Sequence, residues 1–332
     1  MVRMVELGRL HAPIRGDLDA AFARVVDASR FILGAEVDAF EREIADHLGV
    51  SHAVGVSSGS DALFCALVAT GTREASVPAL SFIATAEAVV RAGAKLSFVD
   101  VGEDGVAEDA TIAVDLFGRR APVTSETIID AAQSIGRGVL RGARVAAISF
   151  FPTKNLGALG DAGLVVTNDA SLADEVRALR VHGAKKKYVH ERVGWNMRLD
   201  AIQAALLRAK LPHLDRWNAS RRRVAARYRD ALAGLDLVLP EDAPDHAWHQ
   251  FVIRTPNRDA LRAHLAAREI ESEIYYPLAL HLQPCFRELG HREGDFPLAE
   301  AFTKTALAIP IHPALDDAEI DTVVAGVRSF FD

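Results

Sequence analysis

The sequence predicts an α/β protein with a mostly parallel central sheet, followed by a smaller C-terminal α+β unit. Three observations lead there. Short apolar runs alternate with helical periodicity as far as residue 170. After about residue 235 the texture changes, and Pro240 and Pro244 precede sparser strand and helix patterns. The chain has 332 residues, 50% of them apolar, enough to bury one large core or two cores sharing a cleft.

In order, 18–48 reads as helices, with Val37, Phe40, Ile44 and Leu48 at helical spacing. A strand at 53–56 runs into Ser57-Ser58-Gly59-Ser60-Asp61 and a helix from 62 onward. A strand starts at 77, and a helix at 84–92 leads to a strand at 95–99. Further strands are expected at 112–116, 127–129, 146–150 and 163–167, then helices at 171–181, 199–211 and 217–233. Beyond these come a strand at 250–254, a helix at 258–268, a strand at 270–275, loops, and a helix at 317–331. The expected division is a large domain over 12–212 and a small one over 213–332. No internal repeat or low-complexity segment interrupts this order.

Composition narrows the function. The net charge of −7 argues against nucleic-acid or anionic-membrane partners. Cys65 and Cys285 are too few and too far apart for a disulfide framework. With no signal segment and no bilayer-length apolar run, a soluble cytoplasmic protein is expected. The run Lys185-Lys186-Lys187 reads as a solvated loop or as an attractor for a diphosphate. His246 and His249 lie three apart without an HExxH motif, so no metal site is expected. The Ser57–Asp61 segment lacks the GxGxxG of a dinucleotide dehydrogenase.

Four pieces carry chemistry. Ser57–Asp61 joins a strand to a helix, so its amides and dipole can hold a phosphate, although a plain helix cap would look the same. Asp130, in Ile128-Ile129-Asp130-Ala131-Ala132-Gln133, sits at the C-terminal end of a buried strand, where ligands bind in open α/β sheets. It could pair with a protonated ring nitrogen or merely cap a helix. Lys154 lies in Ser149-Phe150-Phe151-Pro152-Thr153-Lys154-Asn155-Leu156-Gly157, among small and apolar residues that lower an amine's basicity and suit Schiff-base chemistry. The fourth piece, Gly194-Trp195-Asn196-Met197-Arg198-Leu199-Asp200, opens a helix with polar groups. A phosphate cup, then an acid, then a lysine is the order that a fold-type-I pyridoxal-5′-phosphate (PLP) enzyme needs.

The strings DAAQS, SFFPTKNLGALGDAG, GWNMRLDAIQAA, RFILGAEVDAFE and YYPLALHLQP resemble the DegT/DnrJ/EryC1/StrS aminotransferase family over essentially the whole chain. The resemblance implies a fold-type-I transferase that binds PLP and uses Lys154 as its Schiff-base lysine. It further implies that Asp130 pairs with the pyridine nitrogen, Gln133 lies near the ring hydroxyl and Phe82 stacks on the ring. Gly59, Ser60 and Ser149 would hold the phosphate, with Asn196 reaching it from the partner subunit of a homodimer. Arg198, Tyr276 and His312 would face the substrate. The chain departs from the family at Ser60 (usually threonine), at Ile129 (often an acid) and at Asp115 and Tyr275 (often histidine). Its segments 70–78, 100–112 and 120–128 are shorter than in most members.

The implied reaction moves an amino group from glutamate to a UDP- or dTDP-linked keto-sugar. The segments Lys187-Tyr188-Val189-His190 and Arg198-Leu199-Asp200 look more like members that aminate C3 than C4. Rival expectations are a PLP-dependent dehydratase, whose relatives tend to replace the lysine by histidine, an aromatizing enzyme of the aminohydroxybenzoate type, and a non-catalytic regulator that binds PLP or a sugar.

Overall fold

The computed structural model describes residues 1–186 and 188–331. Lys187, part of the lysine run and of the C3 comparison, lies outside the described residues. Helices α1 (Leu7–His11), α2 (Arg15–Ala28) and α3 (Ala35–Leu48) lead into strand β1 (His52–Val56). Next come α4 (Gly59–Thr70), β2 (Glu74–Pro78), α5 (Ile83–Arg91), β3 (Lys95–Val99), β4 (Ile112–Val114), β5 (Ile128–Asp130), β6 (Val145–Ser149) and β7 (Gly163–Thr167). α6 (Ala170–Leu179), the hairpin β8 (Ala184–Lys186) and β9 (Val189–His190), α7 (Ala201–Lys210) and α8 (Leu214–Leu232) follow. The chain ends with β10 (Phe251–Arg254), α9 (Arg258–Ala266), α10 (Pro297–Thr305), β11 (Ala306–Ile309) and α11 (Asp317–Phe331).

The main sheet runs β1-β7-β6-β5-β4. Pairing is parallel from β6 to β4 and antiparallel on both sides of β7, so β7 alone opposes the other four. The parallel pair β2–β3 lies beyond β4, joined to its start by Ser76 and Thr111, whose hydroxyls are 3.1 Å apart. Strand residues alternate between two cores, as a two-sided pleated sheet requires. Val145 and Ala147 of β6 face α4, α5 and α6, while Ala146 and Ile148 face α2, α3 and α7. A third core joins β10 and β11 to α8, α9 and α11. α8 serves two of these cores: Leu214 and Trp217 pack under the sheet, Val224 and Tyr228 in the third core.

The expected strand at 270–275 forms only isolated bridges, at Ile270 and Glu273. The expected loops after it contain α10 and β11, and β11 is the partner of β10. Asp115, just past β4, has its side chain fully enclosed. It accepts from both terminal nitrogens of Arg141 (2.8 and 3.0 Å), from Ser134 Oγ (2.5 Å) and from the Ala121 amide (2.9 Å). Burial pushes its carboxyl up, and the guanidinium opposes that. Removing one member of a buried pair strands the other charge. Arg141→Met should therefore cost about 3–5 kcal/mol, read as a lower urea midpoint. Joining it to Asp115→Leu should cost less than the sum of the two single changes.

Candidate active site

The loop after β6 is built by close approaches that bring Lys154 inward. The Lys154 amide donates to Phe151 O (2.8 Å), and Ala158 N returns to Phe150 O (2.7 Å). A Cβ on Gly157 would lie 2.1 Å from the Pro152 carbonyl oxygen, so only glycine fits that approach. Buried Lys210 donates to Gly157 O (2.7 Å), and Asn155 Nδ2 donates to Ala247 O (2.9 Å) and to Asn218 Oδ1 (2.8 Å). The loop is thus held from α7, from α8 and from the segment before β10. Burial lowers the Lys154 pKa to about 8, and the nearby Asp130 charge opposes that.

Asp130 ends β5 and is itself buried. Oδ2 accepts from Thr85 Oγ1 (2.7 Å) and Oδ1 from the Ala132 amide (3.1 Å). Ser81 Oγ lies 2.9 Å from Thr85 Oγ1. Because Thr85 donates to the carboxylate, Ser81 is the donor to Thr85. Burial pushes the acid up, while Thr85, Ala132 and Lys154 favour its charged form.

The turn from β1 to α4 makes a cup. Ser58 caps the helix, accepting from Asp61 N (3.1 Å). Gly59 and Ser60 open the helix, so their amides have no intrahelical acceptor. A Cβ on Gly59 would meet Ser149 Cβ at 2.6 Å, and one on Gly163 would meet Ser58 O at 2.1 Å. Ser149 therefore sits against the cup.

Gln133 is fixed by the Phe117 amide, which donates to its Oε1 (2.5 Å), so its NH2 points toward the Tyr276 hydroxyl at 3.4 Å. The Phe82 and Tyr276 rings are 5.9 Å apart. A cavity of about 570 Å³ joins these parts, and Gly59, Ser60, Phe82, Asp130, Gln133, Ser149, Lys154 and Tyr276 all line it.

Asn196, Arg198 and His312 do not. Asn196 is exposed and bridges Val181, and Arg198 bridges Val56, so this segment borders the cup from outside. His312 is buried in the turn after β11, beside Arg221 and Glu319, where burial lowers its pKa to about 4. Sequence reasoning missed Thr85, Ser81, Tyr275 and His249. Ser81 and Thr85 stand beside Phe82 at the expected helix start, but neither position announces its reach to Asp130.

A helix N-terminus, a buried acid and a buried amine on one cavity fit a phosphate-bearing pyridine aldehyde. A model of the DegT/DnrJ/EryC1/StrS aminotransferase family matches residues 13–117 and 125–328. The chain belongs to this family. DegT/DnrJ/EryC1/StrS enzymes depend on PLP. Among similar members, a "pleiotropic regulatory protein" of Geobacillus stearothermophilus is 41% identical, covering 99% of this chain and 98% of its own. The dTDP-3-amino-3,4,6-trideoxy-alpha-D-glucose transaminase of Streptomyces venezuelae is 40% identical, covering 99% and 96%. The crystal structure of S. venezuelae DesV in complex with a ketimine intermediate superposes with a TM-score of 0.94 at 38% identity, covering 100% of this chain and 98% of that one. The match to the transaminase spans 363 positions against 332 residues, so that relative carries segments this chain lacks. The family match itself passes over 118–124, which overlaps the expected short region 120–128.

Thr85 generates a test. Thr85→Val removes a hydrogen bond that favours ionised Asp130, so PLP should be held about 10-fold more weakly by equilibrium dialysis. Thr85→Ser should restore it.

Proposed function

We propose that this chain is a nucleotide-sugar aminotransferase that moves an amino group from glutamate to carbon 3 of a UDP- or dTDP-linked keto-sugar. The observation that carries the reading is Lys154, buried on one cavity with Asp130 and the α4 cup. The Streptomyces venezuelae relative, whose name puts the amine on carbon 3, supports the substrate class.

PLP, when bound, supplies an aldehyde for an amine to condense with and a ring that takes up an electron pair. The protein's residues do the rest. The Gly59 and Ser60 amides, with the hydroxyls of Ser60 and Ser149, bind the phosphate. Asp130 keeps the proton on the ring nitrogen. Phe82 would cover a ring face, and the Gln133 NH2 would meet the ring hydroxyl. Lys154 Nζ, on the same cavity, would take the proton from the donor's α-carbon and later return one. Tyr276 and Arg198 attend the sugar side. Asn196, exposed and outside its own cavity, supports a role across a homodimer interface.

A second reading has one observation in its favour, the regulatory name of the Geobacillus relative. A regulator would keep the pocket without turning over. Purified protein loaded with PLP distinguishes the two. Glutamate alone should abolish the visible absorption with stoichiometric release of 2-oxoglutarate, and Lys154→Ala should show neither change. Loading should accelerate as pH rises through about 8, where the Lys154 amine loses its proton. Stable loading that glutamate leaves untouched would sink the aminotransferase reading and favour the regulator.

A further inference from the structure

We infer that His249 is a fixed hydrogen-bond acceptor in the wall of the Lys154 cavity, with Nδ1 protonated and Nε2 bare toward the lysine amine. The inference rests on the reading of Lys154 as the working amine. Asn155 Nδ2 lies 2.9 Å from the Ala247 carbonyl, which can only accept, so the amide has one possible orientation. Its Oδ1 is therefore the atom 3.0 Å from His249 Nδ1. Oδ1 can only accept in turn, so Nδ1 carries the hydrogen.

The histidine is buried and lines the same cavity as Lys154. With Nδ1 committed, Nε2 is the ring's remaining polar atom. A second proton would put a cation in this wall, and burial, Lys154 and Arg221 all oppose it. The backbone here is also pinned. Arg221 donates to His249 O (3.0 Å) and Ile311 O (2.8 Å).

Once it has taken a proton, Lys154 is a buried ammonium. The other titratable groups lining the cavity are Asp115 after β4, already paired with Arg141, Asp130 from β5, Asp161 from the turn before β7, and Tyr275 and Tyr276. Nε2 accepts one N–H from that ammonium without taking the proton. It holds Lys154 in place between removing a proton and returning it.

Two variants separate the ring's two edges. In His249→Asn the new amide can still donate to Asn155 Oδ1 but leaves nothing at the Nε2 position. In His249→Gln the anchor is lost and an amide oxygen can reach the cavity. Each PLP-loaded protein is mixed with glutamate in a stopped-flow spectrometer, and loading rates are followed against pH. The Asn variant should react about 10- to 100-fold more slowly than wild type. Its loading midpoint should move about half a unit to lower pH, because the ammonium has lost an acceptor. Gln should recover part of both. An Asn variant matching wild type in rate and midpoint would overturn the inference and leave His249 as an anchor for Asn155 alone. Nitrogen-15 spectra of histidine-labelled wild-type protein decide independently of variant folding. The resonance missing in the Gln variant must show the Nδ1–H tautomer, and an Nε2–H tautomer overturns the inference. Wild-type protein that fails to load PLP at all would instead strike at the proposed function, while the tautomer result would still stand.

Discussion

Lys154 and Asp130 leave water on the same edge of the sheet, and much of the surrounding structure serves to make that tolerable. Parallel pairing of β5 with β6 brings the carboxyl ends of both strands to one side, with Asp130 opposite Ala147. No salt bridge closes between the two charges among the described residues. Dipoles take the place of water instead. The acid has the Thr85 hydroxyl and the Ala132 amide, and the lysine has a loop tied down on three sides. Groups arranged this way are costly in an empty protein and complementary to a ligand that carries a ring nitrogen and an aldehyde.

The C-terminal part of the chain completes the site from above rather than merely following it. Residues 246–250 thread between the large sheet and α8. Ala247 N donates to Gly118 O, Gln250 N to Phe117 O, and the Trp248 and His249 carbonyls receive Arg221. His246 stacks on Trp248 at 3.8 Å, facing a different environment from His249. Two histidines three apart thus have unrelated roles, one packed and one lining the cavity.

The sheet was readable because each buried strand is a short apolar run closed by a polar or glycine residue, as at Ile128–Asp130 and Gly163–Thr167. The cup, the acid and the lysine were readable because each sits at a strand end with a local motif. The small unit was harder. α10 and β11 run together without a break, and Ala306–Ile309 is too short to announce itself against the helix before it. The stretch 270–275 has the apolar content of a strand but finds no continuous partner. Thr85, Ser81 and His249 were not legible as site residues. Their partners lie 45, 4 and 94 positions away, and only the fold brings the distant ones together. His312 sits buried in the turn after β11, between Ile311 and Leu315 of the third core.

One pairing joins residue 2 to the segment 269–271. Val2 N donates to Glu269 O, Glu271 N donates to Val2 O, and Val2 packs into the third core. The two sides of this seat are thus separated by most of a large α/β layer in sequence, and it forms only when that long loop has closed. The third core is therefore sealed by a bridging residue that its own stretch of chain does not contain.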